Sequence, residues 1–217
     1  LLPLVVAAHA LLGFADDWSK ASGRGGLRAR AKLFAQIALA IGFVLALLAI
    51  ASLTRYADVS FSGAAALLAA IAVLAFVVIA TSNAVNLTDG IDGLVAGLTV
   101  QCGVAFMLIG AGTFGMSFFA ALFWAALSGA SLGFLWFNKH PARVFMGDTG
   151  SLAIGAALGA GAVLTGAVFL LPFIGFIFYV EMFSVIIQVL YFKWTKKTRG
   201  EGQRIFRRAP LHHHFEV

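Results

Sequence analysis

Charged residues are scarce: Asp, Glu, Lys and Arg make up 11% of the 217 residues, against roughly 25% in an ordinary soluble chain. That excludes a row of soluble domains and leaves little polar surface to cover a water-facing fold. Cysteine is nearly absent. The single Cys102 sits in an apolar run without a partner, so there is no disulfide framework and no cysteine metal site. No positively charged stretch precedes the first apolar run, so that run does not read as a signal peptide. There is also no initiator methionine, and the chain opens inside an apolar run and closes directly after a histidine cluster. The expectation is an internal piece of a longer protein.

What the chain has in excess is apolar sequence. Hydrophobic residues are 61% of the total, the mean hydropathy is +0.98, and several runs reach the length of about 20 residues that spans a bilayer. The fold class expected is all-α: a polytopic transmembrane helical bundle of about seven helices, at 1–15, 34–54, 64–82, 94–111, 117–137, 151–171 and 173–192. The whole of 1–217 reads as a single transmembrane catalytic domain, incomplete at both ends. A small polar loop is expected at 54–58, with tight connections around 110–115 and at Leu171-Pro172. The phenylalanine-rich stretches read as lipid-facing surface, and the small-residue run 155–159 as close helix packing.

The net charge is +6 and the sequence pI about 9.9. No folded basic domain exists to bind nucleic acid. All but Arg55 of the 15 Lys and Arg residues fall in the break after the first run, in the break before Asp148, or in the tail after 192. Two expected spans separate successive polar islands, and an even number (four, then two) separates successive basic breaks, so all lie on one side, and the positive-inside rule makes that side cytoplasmic. Most of these basic residues read as solvated or lipid-facing.

Five aspartates occupy three polar islands on that same side: Asp16-Asp17, the segment Asn86-Leu-Thr-Asp89-Gly-Ile-Asp92-Gly93, and Gly147-Asp148-Thr-Gly-Ser151. A carboxylate at membrane depth costs about 2.5–3.5 kcal/mol even on the mild insertion scale, so retention of this many implies a cation, a proton or a phosphate. Asp89 and Asp92 are three apart and would share a face of a helical turn. Gly90 and Gly93 would let a backbone come close to a ligand. The segment lacks the spacing and terminal glutamate of a calcium loop. Acidic residues favoured at a helix N-terminus are the bland alternative. At 147–151, helix-entry amides suit an anionic oxygen, while capping by Asp148, Thr149 or Ser151 is the structural alternative. Carboxylates with the Asn86 amide are hard ligands that suit Mg²⁺ or Mn²⁺ rather than zinc, and a spare aspartate can act as a general base.

A fourth island, Pro210-Leu-His212-His213-His214-Phe-Glu216, adds three imidazoles. Three consecutive histidines cannot all face one metal from a regular helix, and anion binding near phosphate is the preferred reading. Lys20 and Lys32 suit the same anion. His9 reads as a packed histidine. Glu181 lies within a span, which marks either a function or a hydrogen bond inside the bundle.

These islands resemble the motifs of the polyprenyl-phosphate N-acetylhexosamine-1-phosphate transferase family. Gly13-Phe-Ala-Asp16-Asp17-Trp-Ser-Lys20, Lys32-Leu-Phe-Ala-Gln36, the 86–93 segment, Phe137-Asn138 through Ser151, and Ala209 through Glu216 match in order over essentially the whole chain. The uninterrupted histidine run is similar to the branch that handles a muramoyl-pentapeptide donor. The resemblance implies about ten spans in the complete protein, of which this chain holds the third to the ninth, and a longer than usual loop at 193–208. It implies transfer of phospho-N-acetylmuramoyl-pentapeptide from UDP-N-acetylmuramoyl-pentapeptide to undecaprenyl phosphate in the bacterial inner membrane, with Mg²⁺ as cofactor. It also implies residue roles. Asp148 is the metal ligand, and Asp16 the base or nucleophile. Asp17, Asn86, Asp89 and Asp92 shape the metal and uridine site. Phe145, Asn138, Gln188 and Ala209 lie beside the nucleotide, and His212, His213 and His214 meet phosphate or sugar. Two other expectations stand beside it: a UDP-N-acetylglucosamine-1-phosphate transferase of the same fold, and a cation-coupled transporter. A homodimer is among the assemblies allowed.

Overall fold

The structure, a computed structural model, describes residues 1–54, 63–113 and 118–216. Most of the polar loop expected at 54–58 and the end of the connection expected at 110–115 lie outside the described residues. Among the described residues there is no strand and most are helical, as expected of an all-α membrane protein. Seven long helices correspond to the seven expected spans: α1 (Leu2–Ala21), α2 (Ala29–Thr54), α3 (Ala64–Thr88), α4 (Leu94–Thr113), α5 (Phe118–Asn138), α6 (Gly147–Leu164) and α8 (Phe176–Arg199). Two short ones join them, α7 (Leu171–Ile174) and α9 (Leu211–Phe215). Five of the helices, α2, α3, α5, α6 and α8, are long and apolar enough to cross a membrane.

The helix ends differ from the hydropathy edges in an instructive way. α1 continues through Asp16, Asp17 and Lys20, and α3 continues through Asn86. The backbone ladder needs no apolar side chain, so a helix can carry its polar residues past the edge of the apolar run. α6 instead stops seven residues short of the expected 171. Thr165 caps it and Gly166 takes φ +69, a left-handed conformation that ends the helix. Pro172 then opens the single turn of α7, where its missing N–H is no loss.

The chain forms two compact units, 1–82 with 146–168 and 83–145 with 169–217. In the first, α6 is the interior helix: Gly155 through Ala162 are all buried. Its small side chains let neighbours approach at backbone distance. A Cβ on Gly159 would lie 2.9 Å from the Val78 Cα, and one on Gly155 would lie 2.8 Å from the Thr81 carbonyl. Around it Val5, Ala40, Phe43, Val44, Ala75, Val78, Ala156 and Ala160 make the core. His9 is buried here with its Nδ1 2.9 Å from the Val5 carbonyl, an ordinary packed histidine.

In the second unit α4 packs on α5. Trp124 is fully buried and stacks on Phe106 with 4.4 Å between ring centres. The phenylalanines divide. Phe118, Phe119, Phe169, Phe173 and Phe176 are exposed, as a lipid-facing surface requires, whereas Phe43, Phe106 and Phe178 are core.

Candidate active site

The first unit gathers one site from three helices. Asp16 and Lys20 lie one turn apart on α1, and the Lys20 Nζ is 2.6 Å from Asp16 Oδ2. Asp148, in the first turn of α6, stands 3.3 Å from the same ammonium. Lys32 of α2 reaches Asp148 and lies 3.4 Å from Asp16 Oδ2. The Leu27 amide donates to Asp16 Oδ1 at 2.7 Å. Asp16 is buried, with 1% of its surface exposed. Gly13 makes this convergence possible, because any Cβ there would collide with the Asp148 carbonyl.

Asp17 has a different task. Its carboxylate accepts from the Asp148 amide at 3.1 Å, the Thr149 amide at 2.8 Å and the Thr149 hydroxyl at 2.6 Å. It therefore caps α6 from another helix. This corrects the sequence expectation on two points. Neither Asp148, Thr149 nor Ser151 caps its own helix; the Ser151 hydroxyl donates instead to the Gly147 carbonyl. The amides read as a phosphate cradle are filled by a protein carboxylate, which the helix dipole favours for the same reason. Gly147 at φ +63 leaves room for that carboxylate, since a Cβ there would lie 2.7 Å from Asp17 Oδ2.

The electrostatics follow from this geometry. Burial pushes the Asp16 carboxyl up, but the hydrogen bonds with Asp148, Lys20 and the Leu27 amide, and the Lys32 charge, hold it well below the usual carboxylate range. Burial likewise opposes ionisation of Asp17, and the Thr149 and Asp148 donors and Lys20 overcome it. Lys20 is penalised by burial yet raised by Asp16 and Asp148. A folded-state value below the ordinary 3.8 means that ionised Asp16 stabilises the fold above about pH 4, and that this stabilisation is lost as pH falls further. We predict that Asp16→Asn melts below the wild type at neutral pH and that the gap narrows on acidification below about pH 4. A gap that widened in acid would contradict the assignment.

Ligand oxygens of Asp16, Asp17 and Asp148 lie within 4.8 Å of one another, which suits a hard divalent cation. Two ammoniums face these three carboxylates, leaving one uncompensated negative charge. An ammonium that already bridges Asp16 and Asp148 marks the point where positive charge is stabilised. The residues present thus fit a hard divalent cation such as Mg²⁺, which Asp148 and Asp16 would hold while Asp17 stays engaged in the α6 cap.

The second unit holds the other sequence candidates. Asp89 and Asp92 do not share a helical face, because residues 89–93 form a turn between α3 and α4 in which Gly93 takes φ +78. Asp92 accepts from the Ala142 amide at 3.0 Å and meets His140 at 3.2 Å. Asn138 accepts from the Gly93 amide at 3.0 Å and donates to the Val144 carbonyl at 2.9 Å. Both side chains fasten the 138–144 loop to the 89–93 turn. The Asp89 amide bonds back to the Asn86 carbonyl at 3.4 Å. Phe145 is exposed.

Gly90 does permit a close approach, but what approaches is the imidazole of His212, which leaves no room for a Cβ. Buried Glu181 holds it in place. Its two carboxylate oxygens accept from the His212 amide at 3.1 and 3.2 Å, and the His212 Nδ1 lies 3.3 Å away. Burial holds the His212 imidazole below its ordinary value, with Glu181 working in the opposite direction. The other two histidines diverge: His213 meets Glu216 at 2.6 Å, and His214 accepts from the Arg207 amide at 3.1 Å. The three rings do not converge on a common point, as expected for consecutive residues.

Gln188 donates to the Phe206 carbonyl and accepts from the Ile205 and Phe206 amides, each at 3.0 Å. Its amide is spent on the chain's own backbone. It lines a cavity of about 480 Å³ together with Ala209, His213 and the basic residues Lys193, Arg204 and Arg208. Sequence reasoning had set those three aside as solvated or lipid-facing; only the fold-back of the tail brings them to one cavity. It had also left Glu181 open, although an acid inside a span was the available signal.

The sequence profile of glycosyl transferase family 4 matches residues 1–167. This chain belongs to that family. A phospho-N-acetylmuramoyl-pentapeptide-transferase of Wolbachia pipientis wMel is 44% identical over 226 aligned residues, covering 100% of this chain and 67% of that protein. Those of Desulforamulus reducens and Clostridioides difficile strain 630 are 45% and 42% identical, over 98% of this chain and 63% and 65% of their own lengths. The chain thus spans about two thirds of the length of the curated relatives it matches. The resemblance drawn from the motifs is confirmed at the level of the family. For this member of glycosyl transferase family 4, membership and the five span-length apolar helices together describe a multi-pass membrane protein.

Proposed function

We propose that the protein transfers phospho-N-acetylmuramoyl-pentapeptide from its UDP carrier to undecaprenyl phosphate, giving UMP and lipid I for peptidoglycan synthesis. The reaction takes place at the cytoplasmic face of the bacterial inner membrane. An oxygen of the acceptor phosphate bonds to the sugar-linked phosphorus of the donor, and the bond from that phosphorus to the UMP oxygen breaks. The observation that carries the reading is the cluster of Asp16, Asp17, Asp148, Lys20 and Lys32, on the very motifs that resemble the transferase family.

In this reading Asp148 and Asp16 hold Mg²⁺, which when bound neutralises charge on the donor diphosphate and makes UMP a better leaving group. Lys20 and Lys32 bind phosphate oxygens. Asp16 receives the acceptor's proton once the lysines turn to phosphate, or itself attacks phosphorus. Asp17 keeps Asp148 in position through the α6 cap. Asn86, Asp89, Asp92, Asn138, Phe145, Gln188 and Ala209 serve nucleotide recognition, directly or by shaping the 89–93 turn and the tail. His212, His213 and His214 serve phosphate or sugar.

The test is UMP release by the complete protein with Mg²⁺ and undecaprenyl phosphate. The muramoyl-pentapeptide donor is expected to exceed UDP-N-acetylglucosamine by at least about tenfold in kcat/KM. The reverse preference would assign the protein to the other sugar. Cation-coupled solute flux in proteoliposomes without UMP release would assign it to transport.

A further inference from the structure

One face of α8 carries a polar stripe. Glu181, Gln188 and Thr195 follow one another at steps of two helical turns, about 10 Å, so their side chains leave the helix on the same side. Each holds a different point of the tail. After α8 the chain turns at Gly200, with φ +80, and runs back as a strap along the helix it has just left. Thr195 accepts from the Gln203 amide at 2.8 Å, and Gln188 fastens Ile205 and Phe206. Glu181 then takes the His212 amide on both carboxylate oxygens. Neutral side chains suffice for the first two anchors. A buried carboxylate inside a span is the costlier choice, so the third has more to do than tie the strap down.

What Glu181 places is the His212 ring. That ring is buried, and its Nδ1 lies 3.3 Å from the Glu181 carboxylate. Its Nε2 has no hydrogen-bond partner among the described residues and is turned to Gly90, so backbone covers the edge a phosphate would need. The ring therefore works by what it supports. It lies against Gly90 in the turn that carries Asp89 and Asp92, whose far end Asn138 fastens through the Gly93 amide. It also packs on His213, with 4.2 Å between ring centres, and His213 lines the cavity with Gln188 and Ala209. Glu181 itself is not among the residues lining that cavity.

We propose that Glu181 is a positioning residue for the donor. Acting through His212, it fixes the 89–93 turn and the His213 ring in one register, and so sets the KM of the UDP-linked donor. The inference rests on the donor reading above, within which His212 acts through its neighbours rather than by touching phosphate.

The experiment uses the complete protein and reads two quantities: backbone hydrogen exchange by mass spectrometry, and steady-state UMP release with the donor varied. In Glu181→Ala, exchange is expected to rise about tenfold or more at 211–215 and also at 89–93. KM for the donor is expected to rise about tenfold, with kcat within about threefold of the wild type. Glu181→Gln keeps one accepting oxygen for the His212 amide, and its KM is expected to rise only about threefold. Gly90→Ala/His212→Ala is expected to show the KM of His212→Ala alone, since the methyl then takes the space the ring has left. Faster exchange confined to 211–215 would make Glu181 a local tie of α9 and overturn the proposal. So would a fall in kcat at unchanged KM, or additive effects of Gly90→Ala and His212→Ala. A wild type that releases no UMP would count against the donor reading, and exchange at 89–93 would then decide the positioning role alone. Should Glu181→Ala fail to fold, as judged by helical circular dichroism, Glu181→Gln carries both readouts, with about threefold expected in each.

Discussion

Asp148→Asn in the complete protein is expected to lose about a thousandfold or more of Mg²⁺-dependent UMP release while the bundle stays folded. The substitution keeps the size of the side chain. Asp17 holds the Asp148 and Thr149 backbone amides, not the Asp148 side chain, so the α6 cap survives. What disappears is a carboxylate charge facing Lys20, Lys32 and, in the proposed reaction, a divalent ion. Several kcal/mol of charge stabilisation at the reacting phosphate is about three powers of ten in rate. UMP release within a few-fold of the wild type, with unchanged metal dependence, would remove Asp148 from the metal site.

Gly13→Ala is expected to cost at least about a hundredfold in turnover, although residue 13 carries no functional group. Its added methyl would land on the Asp148 carbonyl, and backbone cannot yield as a flexible side chain can. α1 and α6 must separate, and with them Asp16 and Asp17 from Asp148. A displacement of about 1 Å among reacting groups is enough for a loss of that size. The overpacking itself would destabilise the protein by roughly 1–3 kcal/mol. Lowered activity with a largely retained melting temperature would identify spacing as the cause. Wild-type turnover would show that the cluster tolerates a different α1–α6 distance.

How much of this was legible beforehand depends on the kind of interaction. Seven long helices were readable because apolar length is a local property, and α2, α3, α4 and α5 start or end within a few residues of the hydropathy edges. The end of α6 was not, since a left-handed Gly166 is decided by backbone conformation and not by composition. The carboxylates were legible because charge beside apolar sequence demands a use. Their division of labour was not. Asp16 and Asp17 are neighbours in sequence, yet successive helical positions point about 100° apart, so one faces the lysines and the other the first turn of α6. The same limit applied to Gly90. The need for a close approach was readable, but the partner, His212, is 122 positions away. Gln188 and the tail arginines lay further out of reach, because the strap that joins them is held by backbone groups that every residue possesses.

The two lysines among the aspartates have one more consequence. Carboxylates crowded together without counter-charge would push one another apart, and the two helices carrying them, α1 and α6, would drift. Lys20 and Lys32 are tethered counter-ions that keep the cluster assembled before any substrate arrives. In the proposed reaction they would also act as a filter on what can enter. A sodium or potassium ion brings no more charge than the ammonium it would have to evict, whereas a doubly charged ion does. Once evicted, each lysine would be left beside the incoming ligand with its charge uncommitted, at the place where the diphosphate of the proposed donor would need it.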